Sequence, residues 1–322
     1  MHLPPELMQG IDELTRGIAP ADLVRASAEL TTGYRGERKG RLQLDCFHQA
    51  AYLISRMPAT YAAVSQVLRE VKERIPDLDV ESMLDLGTGP GTAMWAAGEH
   101  FSELFRIVGV EDVSEWIAVG KRLSAAARLD SIRSAEWRHG SVVRLLTSDT
   151  FDLVTISYVL NELYTGDVAS LVRDAWNHAR RVLLIVEPGT PAGFDRIREA
   201  RGLLIAEGAR IVAPCPHENE CPMRDGNWCH FAERLERSPE HRQAKVATLG
   251  YEDEKYSYVA ATRESVTLPD ARILRHPRKH SGHVELELCT PRGLTRETIS
   301  KKHGERYKSA RRAEWGDALG GG

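Results

Sequence analysis

Apolar positions along this chain change their period twice. Through about residue 76 they recur three or four apart, in Ile11 to Ala19, Ala21 to Glu29 and Met57 to Ile75. That spacing predicts amphipathic helices, most clearly over Tyr61 to Val71. From about 81 to 190 short continuous runs take over: Met83 to Leu86, Ile107 to Val110, Leu153 to Leu160 and Val182 to Val186. Such runs, separated by helical stretches, predict parallel strands covered on both faces. A weaker strand candidate lies at Ala135 to Arg138. Beyond 190, Phe194 to Gly208 reads as a helix, and Tyr256 to Ala261 and His283 to Leu288 as two strands. The second of these alternates, as an antiparallel strand with one wet face does.

This pattern divides the chain into a helical N-terminal region, 1–76, an α/β domain, 77–290, and a basic tail, 291–322. The α/β domain carries a Cys-rich insertion at 213–231. The basic, glycine-punctuated stretch Gly33 to Arg41 reads as a solvated or phosphate-contacting loop.

No apolar run approaches the ~18 residues that span a bilayer. The N-terminus has no basic segment leading into an apolar one, as a secretory signal would. A cytoplasmic protein with reduced thiols is expected, with no membrane partner. The net charge of −3 over 322 residues hides an uneven distribution. Arg272 to Arg312 holds 12 Lys and Arg against four Glu.

Met83-Leu84-Asp85-Leu86-Gly87-Thr88-Gly89-Pro90-Gly91-Thr92 reads as a strand, a glycine turn and a helix start. Glycines let backbone pass close to a ligand, and a helix N-terminus offers free N–H groups. Glu111 ends the next strand, about 20 residues on, where a carboxylate accepts from ribose hydroxyls. Dinucleotide folds show G-x-G-x-x-G, whereas this loop is D-x-G-x-G-x-G. It resembles motif I of class I S-adenosylmethionine-dependent methyltransferases, a Rossmann-like fold. The resemblance places Asp85 near the cofactor's methionyl end, Gly87, Thr88, Gly89 and Gly91 around it, and Glu111 at the ribose. The final strand pair resembles the antiparallel hairpin that closes such sheets. The loop after the fourth strand, Ser157 to Glu162, lacks the Asn/Asp-Pro-Pro-aromatic tetrad of amino-directed nucleic-acid enzymes. It also lacks the cysteine nucleophile of cytosine-C5 enzymes. Asn161 and Glu162 are the acceptor-side candidates it offers.

Cys215, Cys221 and Cys229 fall within 15 residues, and Cys289 ends the last apolar strand. Thiolates favour zinc or iron–sulfur clusters. Paired short C-x2-4-C knuckles, usual for structural zinc, are absent. Irregular loops with proline after cysteine suit a cubane cluster, with zinc the alternative. His217 and His230 stand as possible replacement ligands, or as second-layer or solvent-facing residues. Cys46 reads as core. The C-x3-C-x2-C pattern of radical enzymes is absent, and four cysteines would close a cluster.

Glycine loop, Val186 to Gly193, the cysteine stretch Pro214 to Phe231 and the tail Tyr307 to Asp317 together resemble one family across nearly the whole chain. It is the family of mitochondrial and bacterial small-ribosomal-subunit methyltransferase-like proteins, known in animals as methyltransferase-like protein 17. The resemblance implies a [4Fe-4S] cluster on Cys215, Cys221, Cys229 and Cys289. It also implies association with small-subunit ribosomal RNA during assembly or translation; a monomer is expected. Arg292, Arg296, Lys301, Lys302, Arg306, Lys308, Arg311 and Arg312 form a basic arm suited to phosphates, with Tyr307 or Trp315 stacking on bases or packing. Three readings remain: an RNA-binding assembly protein that binds S-adenosylmethionine, an active rRNA methyltransferase, and a small-molecule methyltransferase with a zinc staple.

Overall fold

The computed structural model describes residues 2–34, 45–144, 148–224 and 226–320. Residues 35–41 of the basic loop lie outside these. The N-terminal helices are α1 (Pro5–Thr15), α2 (Pro20–Tyr34), α3 (Cys46–Ala51) and α4 (Met57–Arg74). Asp45 caps α3 by accepting from the N–H groups of Phe47 and His48 at 2.9 Å. A π-helical turn, Tyr52–Arg56, joins α3 to α4. Leu7, Leu53, Val64, Val67 and Leu68 bury into the same core as Met83, Ile107 and Leu184. The N-terminal helices therefore form a layer on one face of the sheet rather than a separate core.

The main sheet contains β1 (Ser82–Leu86), β2 (Arg106–Glu111), β3 (Glu136–His139), β4 (Phe151–Ser157), β5 (Ala179–Pro188), β6 (Arg210–Ala213), β7 (Phe231–Glu236) and β8 (Tyr251–Thr262). Its order is β3-β2-β1-β4-β5-β8-β6, with β7 also pairing β8. Strands β1 to β5 are parallel. β8 runs antiparallel to β5, β6 and β7. The connecting helices are α5 (Thr92–His100), α6 (Ser114–Ser124), α7 (Asp130–Arg133), α8 (Thr165–His178) and α9 (Pro191–Ala206). This is the doubly wound 3-2-1-4-5 arrangement with an antiparallel strand set in before the last, the class I methyltransferase sheet.

A second sheet follows a short helix α10 (Pro239–Ala244). It comprises β9 (Ala271–Ile273), β10 (Arg278–Lys279), β11 (His283–Thr290), β12 (Gly293–Ser300) and β13 (Ala318–Leu319), with α11 (Glu305–Arg312) packed on β11 and β12.

Three expectations change here. The closing hairpin does not pair Tyr256–Ala261 with His283–Leu288. β8 pairs with β5, β6 and β7, while β11 belongs to the second sheet. β6 has only four residues, and β7 keeps just Phe231 and Leu235 buried, so neither carries a strand's apolar period. The basic tail is mostly folded: every residue of β12 pairs with β11, across the boundary at 290. β12 is largely solvent-facing, so backbone pairing rather than apolar alternation holds it. The fourth strand stops at Ser157, because Tyr158 turns the chain with φ +61°.

Candidate functional site

The carboxyl ends of β1, β2, β4 and β5 carry the first candidate site, where open α/β sheets bind ligands. Asp85 lies on β1 with Gly109 and Thr155 as register partners. Its carboxylate accepts from Thr88 Oγ1 at 2.7 Å and Thr155 Oγ1 at 2.5 Å. Burial pushes its pKa up to about 6, against the two hydroxyl donors. Gly87, Gly89 and Gly91 all hold positive φ. A Cβ on Gly87 would sit 2.4 Å from Val159 Cγ2, so glycine is needed there for space as well as conformation.

Glu111 ends β2 and braces the loop. Its Oε2 accepts from Gly89 N–H at 2.9 Å, and its Oε1 from the N–H groups of Asp112 and Val113. Burial pushes its pKa up as well. The structure thus brings Asp85, Gly87, Thr88, Gly89, Gly91 and Glu111 together at the ends of β1 and β2, with Thr88 bonded to Asp85 and Gly89 to Glu111.

Two residues of the π turn stand near these strand ends. The Tyr52 ring packs on Trp116 with centroids 4.8 Å apart, and its hydroxyl lies 4.0 Å from a Cβ position on Gly89. Burial pushes its pKa up to about 12. Arg56 approaches Glu254 Oε1 at 3.7 Å, and the same oxygen accepts from Tyr158 Oη at 2.9 Å. π turns concentrate at functional sites. Nothing in the 3.6-residue period of this segment distinguishes a π turn, so Tyr52 and Arg56 leave no signal in the sequence.

On the acceptor side, Asn161 is half-buried and Glu162 exposed, on a 3-10 turn Leu160–Glu162. Glu187, fully buried on β5, anchors this turn by accepting from Leu160 N–H at 2.9 Å. Burial pushes its pKa up to about 8, although Arg196 lies 3.9 Å from it. Ser157 Oγ, Asn161 Oδ1 and Glu187 Oε2 are buried atoms without a hydrogen-bond partner among the described residues. Buried polar atoms left this way are costly, and three at the ends of β4 and β5 and on the turn that follows β4 suit a polar ligand. Glu187 sits inside the motif Val186 to Gly193, but a carboxyl in an apolar strand gives no sign of this role in the sequence.

The second candidate site gathers the cysteines. Cys215, Cys221, Cys229 and Cys289 line a single cavity with His217, Arg201 and Arg272. Burial, then the neighbouring thiols, pushes Cys289 up to about 12 and Cys229 well above its ordinary value. A bound cation reverses that preference, since metal ligation takes the thiolate. No three of these sulfurs lie within 4.8 Å of one another. Four thiolates on one zinc, with bonds of about 2.3 Å, would sit only about 3.8 Å apart. The four-thiolate donor set fits an iron–sulfur cluster, with zinc the alternative.

Arg201 donates to Cys215 Sγ at 3.2 Å and to His217 O at 2.7 Å. His217 Nε2 lies 3.5 Å from Cys289 Sγ. His217 and His230 are both buried, so the solvent-facing reading of them does not hold. Trp228 stacks on His230 and donates to Gly189 O, joining this loop to the end of β5. Cys46 is exposed at the start of α3, not core as read from the sequence: its neighbour His48 takes the buried position.

The basic residues separate into two groups. Arg292 and Arg296 lie on the β11–β12 hairpin. Lys301, Lys302, Arg306, Lys308, Arg311 and Arg312 lie on the 3-10 turn Lys301–His303 and on α11. All eight are exposed. Arg296 pairs with Glu287, Arg306 with Glu297 and Lys308 with Glu305. Trp315 packs against His230 and His276, and Tyr307 against the second sheet's core, so both aromatic side chains pack.

The family model for mitochondrial small ribosomal subunit Rsm22 matches residues 47–320. The chain is 26% identical over 300 residues to the human mitochondrial ribosome assembly protein METTL17, covering 83% of this chain and 61% of that protein. It is 27% identical over 322 residues to Rsm22-cox11 tandem protein 2, mitochondrial, of Schizosaccharomyces pombe, covering 83% of this chain and 42% of that protein. The chain therefore spans about two fifths to three fifths of these relatives' length. Among solved structures it is similar to magnesium protoporphyrin IX methyltransferase from Synechocystis with bound SAM. That match has 13% identity and a TM-score of 0.42, over 77% of this chain and 99% of the other. The cytoplasmic location expected from the sequence is corrected by these relatives, which are mitochondrial proteins by name. With the family match running across the glycine loop and all four cysteines, the chain belongs to the Rsm22 family of the mitochondrial small ribosomal subunit.

Proposed function

We propose that this protein binds S-adenosylmethionine and small-subunit ribosomal RNA and acts in assembly of the small ribosomal subunit. The observation that carries the reading is the single family match over residues 47–320, which unites the cofactor-type loop, the four cysteines and the basic face. In it, Asp85, Gly87, Thr88, Gly89, Gly91 and Glu111 hold the cofactor, with Tyr52 over the loop. When bound, S-adenosylmethionine supplies an electrophilic methyl group. Cys215, Cys221, Cys229 and Cys289 hold a [4Fe-4S] cluster that ties the loop before β7 to β11. The eight basic residues from Arg292 to Arg312, on the β11–β12 hairpin, the following 3-10 turn and α11, meet RNA phosphates.

A second reading, an active rRNA methyltransferase, is favoured by the orphaned atoms of Ser157, Asn161 and Glu187. They offer hydrogen bonds to an acceptor at the strand ends.

The test is co-sedimentation with immature small subunits, combined with transfer of labelled methyl from S-adenosylmethionine. Binding without transfer, unaltered by Asp85→Ala, supports the assembly reading. Transfer that Asp85→Ala abolishes supports the second. Absence of binding to the subunit removes both.

A further inference from the structure

We propose that His280, His283 and Glu285 form a binding site for a divalent metal ion of the zinc class, separate from the four cysteines. The three residues lie on the β10–β11 hairpin. His280 N–H donates to His283 O at 2.9 Å, closing a two-residue turn over Ser281 and Gly282. This sets the imidazoles side by side, with centroids 4.5 Å apart and planes inclined by 17°. Strand alternation then puts Glu285 on the face of His283, with buried Val284 between them.

The ligand atoms converge. Glu285 Oε1 lies 3.6 Å from His283 Nε2 and 4.0 Å from His280 Nε2. All three ligand atoms fall within 4.8 Å of one another, and no other trio of His, Cys, Asp and Glu among the described residues meets that. These gaps are too long for hydrogen bonds. They suit a shared ion with bonds of about 2.0–2.2 Å, after a small inward movement of the rings.

Neighbouring groups hold the trio in place. Arg278, the register partner of Glu285, lies 3.8 Å from its other oxygen and leaves Oε1 for the ion. Arg311 on α11 donates to His280 O at 3.0 Å and fixes the turn. Two imidazoles and one carboxylate are a borderline donor set, which suits zinc and its neighbours. A single carboxylate beside Arg278 is poor for magnesium or calcium, which need several oxygen ligands. Three protein ligands leave one tetrahedral position open for water. Cys289 lies four residues beyond Glu285 along β11, about 13 Å away at 3.3–3.4 Å per residue, so the two sites do not share ligands.

The test uses full-length protein without a histidine tag and with its cysteine site filled. Zn2+ is titrated against a chromogenic chelator. Wild type is expected to take up one Zn2+ per chain more than the His280→Ala/His283→Ala double variant. Glu285→Gln is expected to weaken that uptake by at least the ~10–100-fold that loss of an outer partner costs. With Co2+ the additional site is expected to give d–d bands without a thiolate charge-transfer band. These side chains are not buried, so the variants are expected to keep the wild-type circular dichroism and melting curve. Equal Zn2+ uptake by wild type and double variant overturns the proposal. So does a thiolate charge-transfer band on the additional ion.

Discussion

Arg272 and Glu70, 202 residues apart in sequence, form an ion pair at 2.6 Å, with Arg272 buried and Glu70 largely covered. Arg272 also donates to Pro214 O, beside Cys215, and to Gly316 O. One guanidinium on β9 thus joins α4, the cysteine loop and the C-terminal segment. Removing one partner of such a pair strands a charge, at a cost of about 3–5 kcal/mol. We expect Arg272→Met and Glu70→Gln each to lose that order of stability in urea denaturation, and the double variant to lose less than their sum. Burial raises the Glu70 pKa, but Arg272 and then Arg74 outweigh it and hold it below its ordinary value of 4.5. A depressed carboxylate contributes stability above its unfolded pKa and loses it as pH falls through the folded one. The Glu70 contribution is therefore expected to be complete above about pH 5 and to fade only in stronger acid.

Asp85 has the opposite sign. Its pKa is raised, to about 6, so the folded state holds a proton that the unfolded state has already released. Its contribution to stability is therefore greatest below about pH 4, declines between about pH 4 and 6, and stays low above. Asp85→Asn is expected to remove a pH-dependent decline on the order of 2 to 3 kcal/mol across that window. The same variant is expected to weaken S-adenosylmethionine binding in calorimetry at pH 7.5. A wild-type pH profile parallel to that of the variant would show that Asp85 ionises normally.

Arg201 bears on the cluster reading because it donates to Cys215 Sγ from a buried position. Hydrogen bonds and positive charge near the sulfurs favour the reduced, more negative cluster. Arg201→Met is expected to lower the reduction potential by roughly 60 mV or more, a tenfold shift in a one-electron equilibrium. Anaerobic protein is expected to carry iron and sulfide in equal amounts, and Cys289→Ser to lose both. One zinc per chain without sulfide would remove the cluster.

The glycine loop is readable because its chemistry is local: an acid, three glycines and a helix start lie within eight residues. The main parallel strands are readable because burial on both faces leaves continuous apolar runs, as in β4 and β5. What escapes depends on distance or on polar exceptions. Arg272 looks like one more residue of a basic segment, and only folding brings Glu70 to it. Glu187 looks like a break in an apolar run, although it anchors the turn that carries Asn161. β12 has one buried apolar residue, Ile299, so its pairing with β11 leaves no periodic trace. Four of the eight basic residues sit on α11, whose only buried position is Ala310, which is why the segment reads as a basic arm with no helix assigned to it.

The basic face offers the sharpest test of RNA binding. Among its residues Arg296, Arg306 and Lys308 already have carboxylate neighbours, at 3.2, 2.7 and 2.7 Å. Exposed pairs of this kind are worth about 0–1 kcal/mol, so they exchange readily for phosphates, but each brings a negative charge to the surface. Lys301, Lys302 and Arg312 have no carboxylate within salt-bridge distance among the described residues, and they add undiluted positive charge. Each phosphate that is no longer neutralised reduces the slope of log K against log salt by about 0.9 on duplex and 0.7 on single strands. A Lys301→Ala/Lys302→Ala/Arg312→Ala variant is therefore expected to flatten that slope by about 2 to 3 on a small-subunit rRNA fragment. Arg296→Ala/Glu287→Ala, which removes a pair together, is expected to change it by no more than the value for a single phosphate. Fluorescence anisotropy at several salt concentrations measures both. An unchanged slope for the triple variant would mean that RNA lies elsewhere on the molecule.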